Sequence, residues 1–205
     1  MEIRIYVEGG GDSANQKADI RRGLGEFLQE LRDQARSRRI RWNIIACGTR
    51  QNAYEDFNVA QRTHPEAFNV LLVDSEGPVS SRPFEHLASR DQWNTTELLN
   101  DRYHLMVQVM EAWFIADLEN LGRFYGNQFN RNPIPRRPNV EEIDKDLVAN
   151  SLETATRHTQ KGRYHKIRHG AKLLGLINST IVRESAPHCG RLFAILGEKI
   201  QNNKN

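Results

Sequence analysis

Cysteine is scarce in this chain, and its placement excludes two classes of small stabilised domain. The sequence has 205 residues and two cysteines, Cys47 and Cys189, which lie far apart and outside any CxxC spacing. A disulfide framework and a zinc ribbon both need more cysteines at closer spacing. The two thiols are therefore predicted to be ordinary buried side chains.

Long apolar runs are also absent. No stretch approaches 18 consecutive apolar residues, and the N-terminus, MEIRIYVEGG, has an acid at its second position and begins a strand pattern rather than a signal-peptide block. We expect no membrane association and a cytoplasmic location. Hydrophobic residues make up 38% and charged residues 27% of the chain, which is typical of a globular protein rather than a disordered one.

The net charge of +3 is small, but the basic residues are unevenly distributed. One cluster is RSRRIR at 36–41, and a second is RHTQKGRYHKIRHGAK at 157–172. A local concentration of basic side chains attracts phosphates even where the total charge is modest.

Alternating strand and helix patterns predict an α/β fold. The patterns give strands at 3–7, 41–48, from 68 and at 102–110, and helices at 15–38, 52–65 and 111–126. Asp12 or Ser13 can cap the first helix. The third strand carries the near-continuous apolar run NVLLV, which suits a strand covered on both faces. This order implies a mostly parallel, Rossmann-like sheet flanked by helices.

A proline-rich segment, NPIPRRPN at 132–139, marks a break. Beyond it, helical patterns near 140–157, 163–177 and 187–200 indicate a C-terminal helical extension without a sheet of its own. The segment 80–101 shows no clear periodicity. We predict a core at 1–131 and a helical extension, packed on that core, at 132–205.

Acidic side chains follow two of the predicted strands. Glu8 ends the first strand, and Asp74 and Glu76 follow NVLLV. Strands of a parallel sheet end on one edge, and two residues separated by one point to the same side of a continued strand. Three acids without obvious cationic partners would repel one another, so a hard divalent cation, Mg²⁺ or Mn²⁺, is predicted to neutralise them.

Other interpretations of this segment stay open. Acids at strand ends commonly form turns or lie solvated at the edge of a sheet. The glycines of EGGGDSANQ do not match a phosphate-binding loop, because no Lys-Ser or Lys-Thr pair follows them, and they do not match GxGxxG either.

Further candidates surround the predicted site. Glu111, at a strand-to-helix junction, is a candidate fourth ligand or an ordinary acid at a helix N-terminus. Arg50 follows the second strand and could hold a phosphate, or be an exposed loop charge. The basic motif KGRYHKIRHG supplies candidate phosphate contacts and one candidate proton donor, or else a solvated surface; these residues are Lys161, Arg163, Lys166 and His165.

The acidic pattern resembles the Toprim domain, the catalytic fold of topoisomerases, primases and overcoming-lysogenization-defect nucleases. More closely, YVEGGGDS, LLVDSEGPV, HLMVQVMEAWFIAD, RPNVEEI and KGRYHKIRHG together resemble a Toprim-like family of small bacterial proteins, over most of the chain. The resemblance implies that Glu8 is the first Toprim acid and that Asp74 and Glu76 are the metal-binding pair. The third acid is Glu instead of the more common Asp.

The resemblance also implies a function. Such proteins are often encoded beside AAA-type ATPases in cassettes that look like phage defence. We therefore expect a metal-dependent endonuclease that cleaves DNA or RNA as the effector of an antiviral system, with an ATPase partner and with self-association left open. The alternative is a non-catalytic partner of the ATPase. Strand joining would require a nucleophilic tyrosine near the metal, for which Tyr164 and Tyr54 are the candidates.

Overall fold

A four-stranded, all-parallel sheet forms the centre of the protein. The computed structural model describes residues 1–11 and 13–203. The strand order is β2-β1-β3-β4. The strands are β1 (Glu2–Glu8), β2 (Arg41–Gly48), β3 (Phe68–Asp74) and β4 (Tyr103–Met106). Every residue of β3 is buried, as its apolar run predicted. The predicted α/β class with a parallel, Rossmann-like sheet is confirmed.

The helices that follow β1 differ from the prediction in one respect. The apolar pattern at 15–38 predicted one helix, but the chain forms α1 (Ala14–Phe27) and α2 (Gln29–Ser37). Leu28 interrupts the helix with φ −93° and ψ 17° while its side chain is fully buried. Ser13 caps α1, because its side chain accepts the Gln16 N–H, and Asp12 lies outside the described residues.

The middle of the chain contains more helix and less strand than predicted. β4 ends at Met106, four residues before the predicted end, because its pairing with β3 stops where Asp74 meets Met106. The Val107–Gln108 peptide bond that follows is cis. The other elements of this part are α3 (Arg50–Thr63), α4 (Pro83–Asp91), a 3₁₀ segment (Glu97–Arg102), α5 (Glu111–Ala116) and α6 (Leu118–Tyr125).

Short helices form the C-terminal part, as predicted. They are α7 (Lys145–Thr156), a π-helical turn (Lys166–Gly170) that continues into α8 (Ala171–Leu174), α9 (Ser179–Ser185) and α10 (Pro187–Gln201). Ile5 of β1 and Leu192 of α10 belong to the same buried core cluster. The division at 131/132 stays a prediction. Among the helices of the described residues, none combines the length and apolar character needed to cross a membrane.

A close approach between α1 and α8 places the π-helical turn. A Cβ atom on Gly23 would lie 2.1 Å from the Ala171 carbonyl oxygen, so only glycine allows this contact. Since α8 continues directly from the turn, the contact also holds Lys166 above the carboxyl end of the sheet.

Candidate metal centre

Three carboxylates converge at the carboxyl edge of the sheet. Glu8 ends β1, Asp74 ends β3, and Glu76 lies two residues beyond. One carboxylate oxygen from each lies within 4.8 Å of those of the other two. These three residues could hold a metal ion, and their convergence agrees with the predicted position of the acids on neighbouring parallel strands.

Main-chain hydrogen bonds fix two of these acids. The Asp74 N–H donates to Glu8 Oε2 at 3.2 Å, and the Met110 N–H donates to Asp74 Oδ1 at 2.7 Å. Asp74 is only 1% exposed. A backbone group of β3 therefore holds the Glu8 carboxylate, and the backbone N–H directly before α5 holds that of Asp74.

Glu76 reaches the cluster by a route that the sequence did not suggest. The prediction placed Asp74 and Glu76 on one side of a continued strand, but β3 ends at Asp74 and Glu76 has a left-handed backbone with φ +60°. Its N–H donates to the Gln108 carbonyl oxygen at 2.8 Å. A non-glycine residue with positive φ carries backbone strain, which is concentrated at functional sites in proteins.

Cations surround the cluster, contrary to the expectation that the acids would lack cationic partners. Lys166 Nζ lies 3.4 Å from Asp74 Oδ2, and Lys145 Nζ lies 2.7 Å from Glu76 Oε2. Arg50 Nη1 lies 3.7 Å from Glu8 Oε2. Each acid thus has one basic neighbour. Lys145 was missed by sequence reasoning, since it is 69 residues from Glu76 and belongs to no basic motif.

The environments of the three carboxyl groups set different pKa values. Burial raises the pKa of Asp74 to about 7, with Glu8 and Glu111 adding to the rise and Lys166 opposing it. Burial likewise raises the pKa of Glu8, against the opposing charge of Arg50. For Glu76 burial also acts upward, but the hydrogen bond and charge of Lys145 outweigh it and lower the pKa. Because an added divalent cation favours ionised carboxylates, the donor set suits such an ion.

Arg50 lies beside the acids, but its guanidinium group is engaged by protein atoms. Nε and Nη2 donate to both carboxylate oxygens of Asp91, at 3.1 and 2.6 Å, and Nη1 donates to the Asp74 carbonyl oxygen. The guanidinium also lies 5.0 Å from the centre of the Trp93 ring. These contacts make Arg50 a brace between α3, α4 and the end of β3, so the predicted phosphate contact would require it to leave Asp91.

The predicted basic motif separates into two groups. Lys166 lies at the acids, and the exposed His165 lines a neighbouring groove of 460 Å³ together with Lys145 and Glu111. Lys161 instead lies over the Phe124 ring, 5.2 Å from its centre. Arg163 is exposed and lines neither the groove nor the cavity beside the acids.

Glu111 and the two candidate nucleophiles, Tyr164 and Tyr54, are held by contacts with other protein groups. Glu111 is 5% exposed, accepts a 2.7 Å hydrogen bond from the Tyr164 hydroxyl, and lies 3.8 Å from Lys166 Nζ. It stands outside the three-carboxylate cluster. Burial raises the pKa of Tyr164. Tyr54 stacks on Trp93, with ring centres 4.2 Å apart, and donates to the Asn94 carbonyl.

A cavity opens beside the acids. It has a volume of 240 Å³ and is walled by the glycine turn Gly9–Gly11, by apolar side chains such as Ile20 and Met110, and by Lys166 and Ile167 of the π-helical turn. Glu8 and Asp74 form its acidic end. The three glycines have positive φ values, so the turn bends sharply away from the carboxylates and leaves this space open.

Comparisons with known proteins give one match. No curated protein and no solved structure shows a significant similarity to the chain. The model of a domain of unknown function, DUF4276, matches residues 7–197, a range that includes all three carboxylates and all the surrounding cations. The chain belongs to the DUF4276 family.

Proposed function

We propose that the protein is a metal-dependent nuclease that hydrolyses phosphodiester bonds in DNA or RNA. The observation that carries the proposal is the cluster of Glu8, Asp74 and Glu76 with lysines at its border. Carboxylates would hold Mg²⁺ or Mn²⁺, and lysines beside them suit a phosphate group.

The chemistry of the donor set supports this assignment. Three carboxylates offer only hard oxygen ligands, which favour Mg²⁺ and Mn²⁺ over softer metals. When bound, such an ion would stabilise negative charge on the phosphate and lower the pKa of a coordinated water molecule. The raised pKa values of Asp74 and Glu8 support a cation at this position, since both buried carboxylates gain from added positive charge.

The chain's own residues would position the substrate. Lys166 and Lys145 lie at the acids and would neutralise the phosphodiester. His165 is exposed in the adjoining groove, and we assign to it the donation of a proton to the leaving oxygen. The 240 Å³ cavity would receive the sugar or base next to the scissile phosphate, because its walls are mostly apolar. Lys161 and Arg163 would contact phosphates farther from the cleaved bond.

The direct test incubates the purified protein with Mg²⁺ or Mn²⁺ and a panel of single-stranded DNA, duplex DNA, tRNA and mRNA. We expect cleavage that stops on addition of EDTA and falls at least 100-fold in Asp74→Asn. Glu66→Gln is the matched control, because Glu66 is an exposed acid on the loop before β3 and contacts none of the site residues. Equal inertness of wild type and Asp74→Asn on every substrate would contradict the proposal.

The wider role is proposed from the resemblance alone. We infer that the nuclease acts in the cytoplasm as the effector of an anti-phage system together with an AAA-type ATPase. Co-expression of the chain with an ATPase encoded beside it should reduce phage plaques, and Asp74→Asn should abolish the reduction. The nuclease test should be repeated with this partner present.

A second candidate is a non-catalytic partner of the ATPase. One observation favours it: each of the three acids already has a cation within 4.0 Å, so the cluster could be purely structural. Calorimetric titration with Mn²⁺ separates the two candidates. Binding that disappears in Asp74→Asn supports the nuclease, and absence of binding to the wild type supports the structural role.

A further inference from the structure

A second basic surface lies at the opposite end of the sheet from the acids. It is a groove of 360 Å³ between the end of α2 and the start of β2, and we call it the arginine groove. Its lining residues are Arg32, Arg36, Arg39, Ile40, Arg41 and Trp42. Most of these belong to the RSRRIR cluster, which the proposed active site does not use.

The arginine groove carries uncompensated positive charge. Arg32 lies 3.9 Å from Asp33, and Arg41 lies 3.4 Å from Glu2, which already accepts a closer contact of 2.8 Å from Arg4. Arg36 and Arg39 are exposed, and within the described part of the chain neither forms an ion pair with a carboxylate. The four guanidinium groups of the groove thus have only two carboxylates near them, Asp33 and Glu2, and Glu2 is already paired with Arg4. A local excess of this kind attracts anions.

The backbone of Arg39 is unusual for an arginine. Arg39 follows α2 with a left-handed φ of +58°, a position where glycine is preferred because it has no Cβ. Its N–H donates to the Arg36 carbonyl, so the turn itself is an ordinary helix ending. An arginine here strains the backbone and forms no ion pair within the described residues. The chain therefore keeps an unpaired, exposed guanidinium at a position where glycine would be preferred.

Trp42 adds a polar atom without a partner. Its indole Nε1 is buried, and no acceptor lies within hydrogen-bond distance among the described residues. Burying an N–H without an acceptor is unfavourable, so the indole is a locally unsatisfied group in a residue that lines the groove.

We propose that the arginine groove binds the phosphate backbone of a nucleic acid, at a site separate from the three carboxylates. Strand register sets the separation: Glu2 pairs with Arg41 at one end of β1, and Glu8 pairs with Gly48 at the other. The six residue steps from Glu2 to Glu8 correspond to about 20 Å, or about six base pairs of duplex. The ligand class is taken from the proposed function, but binding at the groove requires neither metal nor hydrolysis.

The composition of the groove favours a nucleic acid over an anionic membrane. Arginine forks match phosphate oxygens in pairs, and the groove is concave. A segment that lies in a membrane surface also presents exposed apolar side chains beside the basic ones. The apolar residues of the groove do not provide them, since Ile40 is buried and Trp42 is half-buried.

The test measures binding without metal, so that its failure is distinct from the failure of the nuclease proposal. A fluorescent 20-nucleotide strand of mixed sequence is titrated in EDTA at several KCl concentrations. The groove variant is Arg36→Gln with Arg39→Gln. The matched control is Arg62→Gln with Arg137→Gln, which removes the same charge from exposed positions outside both basic clusters.

We expect the groove variant to bind at least tenfold more weakly at 100 mM KCl, and the control to bind within twofold of the wild type. The slope of log K against log[KCl] should fall by about 1.4, at about 0.7 for each lost phosphate contact to a single strand. Arg39→Gly also removes the guanidinium group, but at a position whose left-handed backbone suits glycine. It should keep the wild-type melting temperature while binding at least threefold more weakly.

Three results would overturn the inference. The groove variant could bind as tightly as the wild type, or the control could weaken binding as much as the groove variant. The groove variant could also lose binding to phosphatidylserine vesicles while the wild type fails to bind the oligonucleotide. Oligonucleotide binding through the groove without cleavage on any substrate would support the inference and contradict only the nuclease proposal.

Discussion

The main-chain N–H of Asp74 donates a 3.2 Å hydrogen bond to Oε2 of Glu8, so the end of β3 holds the carboxylate that ends β1. The two residues are 66 positions apart in the chain. Because the donor is a backbone group of a fully buried strand, the position of the Glu8 side chain depends on the pairing of β1 with β3.

Glu8→Gln and Glu8→Ala should separate the hydrogen bond from the charge. The glutamine oxygen can still accept from Asp74, whereas alanine leaves that N–H without its partner. We expect Glu8→Ala to unfold with a free energy about 1 kcal/mol lower than that of Glu8→Gln in urea with EDTA. Both variants should lose Mn²⁺ affinity in calorimetry. Equal stability of the two variants would show that this hydrogen bond contributes nothing measurable.

Glu76→Gly should relieve backbone strain at the same site. The φ of +60° suits glycine, so Glu76→Gly should be about 0.5–1 kcal/mol more stable than Glu76→Ala, even after the greater chain entropy of glycine in the unfolded state. Both substitutions remove the pair with Lys145 and a candidate ligand. Urea unfolding and Mn²⁺ titration check the two effects separately, and a less stable glycine variant would argue against strain at Glu76.

Lys166→Met should make stability depend on divalent metal. Lys166 lies near the buried carboxylates of Asp74 and Glu111. Its removal takes away the positive charge that offsets their negative charges. Since the lysine side chain is 55% exposed, we expect a loss of only about 1 kcal/mol in EDTA at pH 8, recovered by Mg²⁺. Lys172→Met is the control, because Lys172 is exposed and forms no ion pair among the described residues. A loss that persists in saturating Mg²⁺ would contradict this prediction.

Two glycines of α1 should respond to alanine in opposite ways. Gly23→Ala places a Cβ against the Ala171 carbonyl and should destabilise the protein by about 2 kcal/mol. At Gly25 the nearest atom to an added Cβ is 3.5 Å away, so Gly25→Ala should stabilise α1 by about 0.5 kcal/mol. Thermal unfolding of both variants tests this. Matching effects at the two positions would mean that α1 and α8 are not in close contact.

His104 should make the protein sensitive to acid. Burial lowers its pKa to about 3, and the charge of Arg191 adds to the effect, so the folded state holds a neutral ring while the unfolded state binds a proton below about 6.5. The free energy of unfolding is therefore unaffected by His104 above pH 6.5. It decreases as the pH falls below 6.5, because only the unfolded state binds the proton there. Between pH 6.5 and 4 the loss should be about 3 kcal/mol.

His104→Gln should show a smaller fall in the free energy of unfolding over that range, measured by urea denaturation at each pH. His158→Gln is the control, because His158 is exposed and should leave the acid sensitivity unchanged. An identical pH profile for the wild type and His104→Gln would contradict the prediction.

Local patterns in the sequence were enough to predict the first three strands and the two acids, Glu8 and Asp74, that end β1 and β3. The alternating IRIYV and the continuous NVLLV predicted two strands at 3–7 and from 68, and the structure has β1 and β3 there. Since strands joined by helical crossovers run parallel, the acids that end these strands had to lie on one edge. The single predicted helix at 15–38 was wrong at Leu28, because packing of its buried side chain is not encoded in periodicity.

The sequence by itself determined which elements form and which acids end the strands, because short-range periodicity and strand direction depend only on neighbouring residues. The tertiary structure decided which cations meet those acids and how Glu76 reaches them. Lys145 is 69 positions from Glu76 in the chain, and Lys166 is 92 positions from Asp74. Both lie on helical segments whose placement depends on tertiary contacts, such as that of Gly23 with Ala171. Such distances in the chain carry no local signal, so only packing of the helices on the sheet brings the charges together.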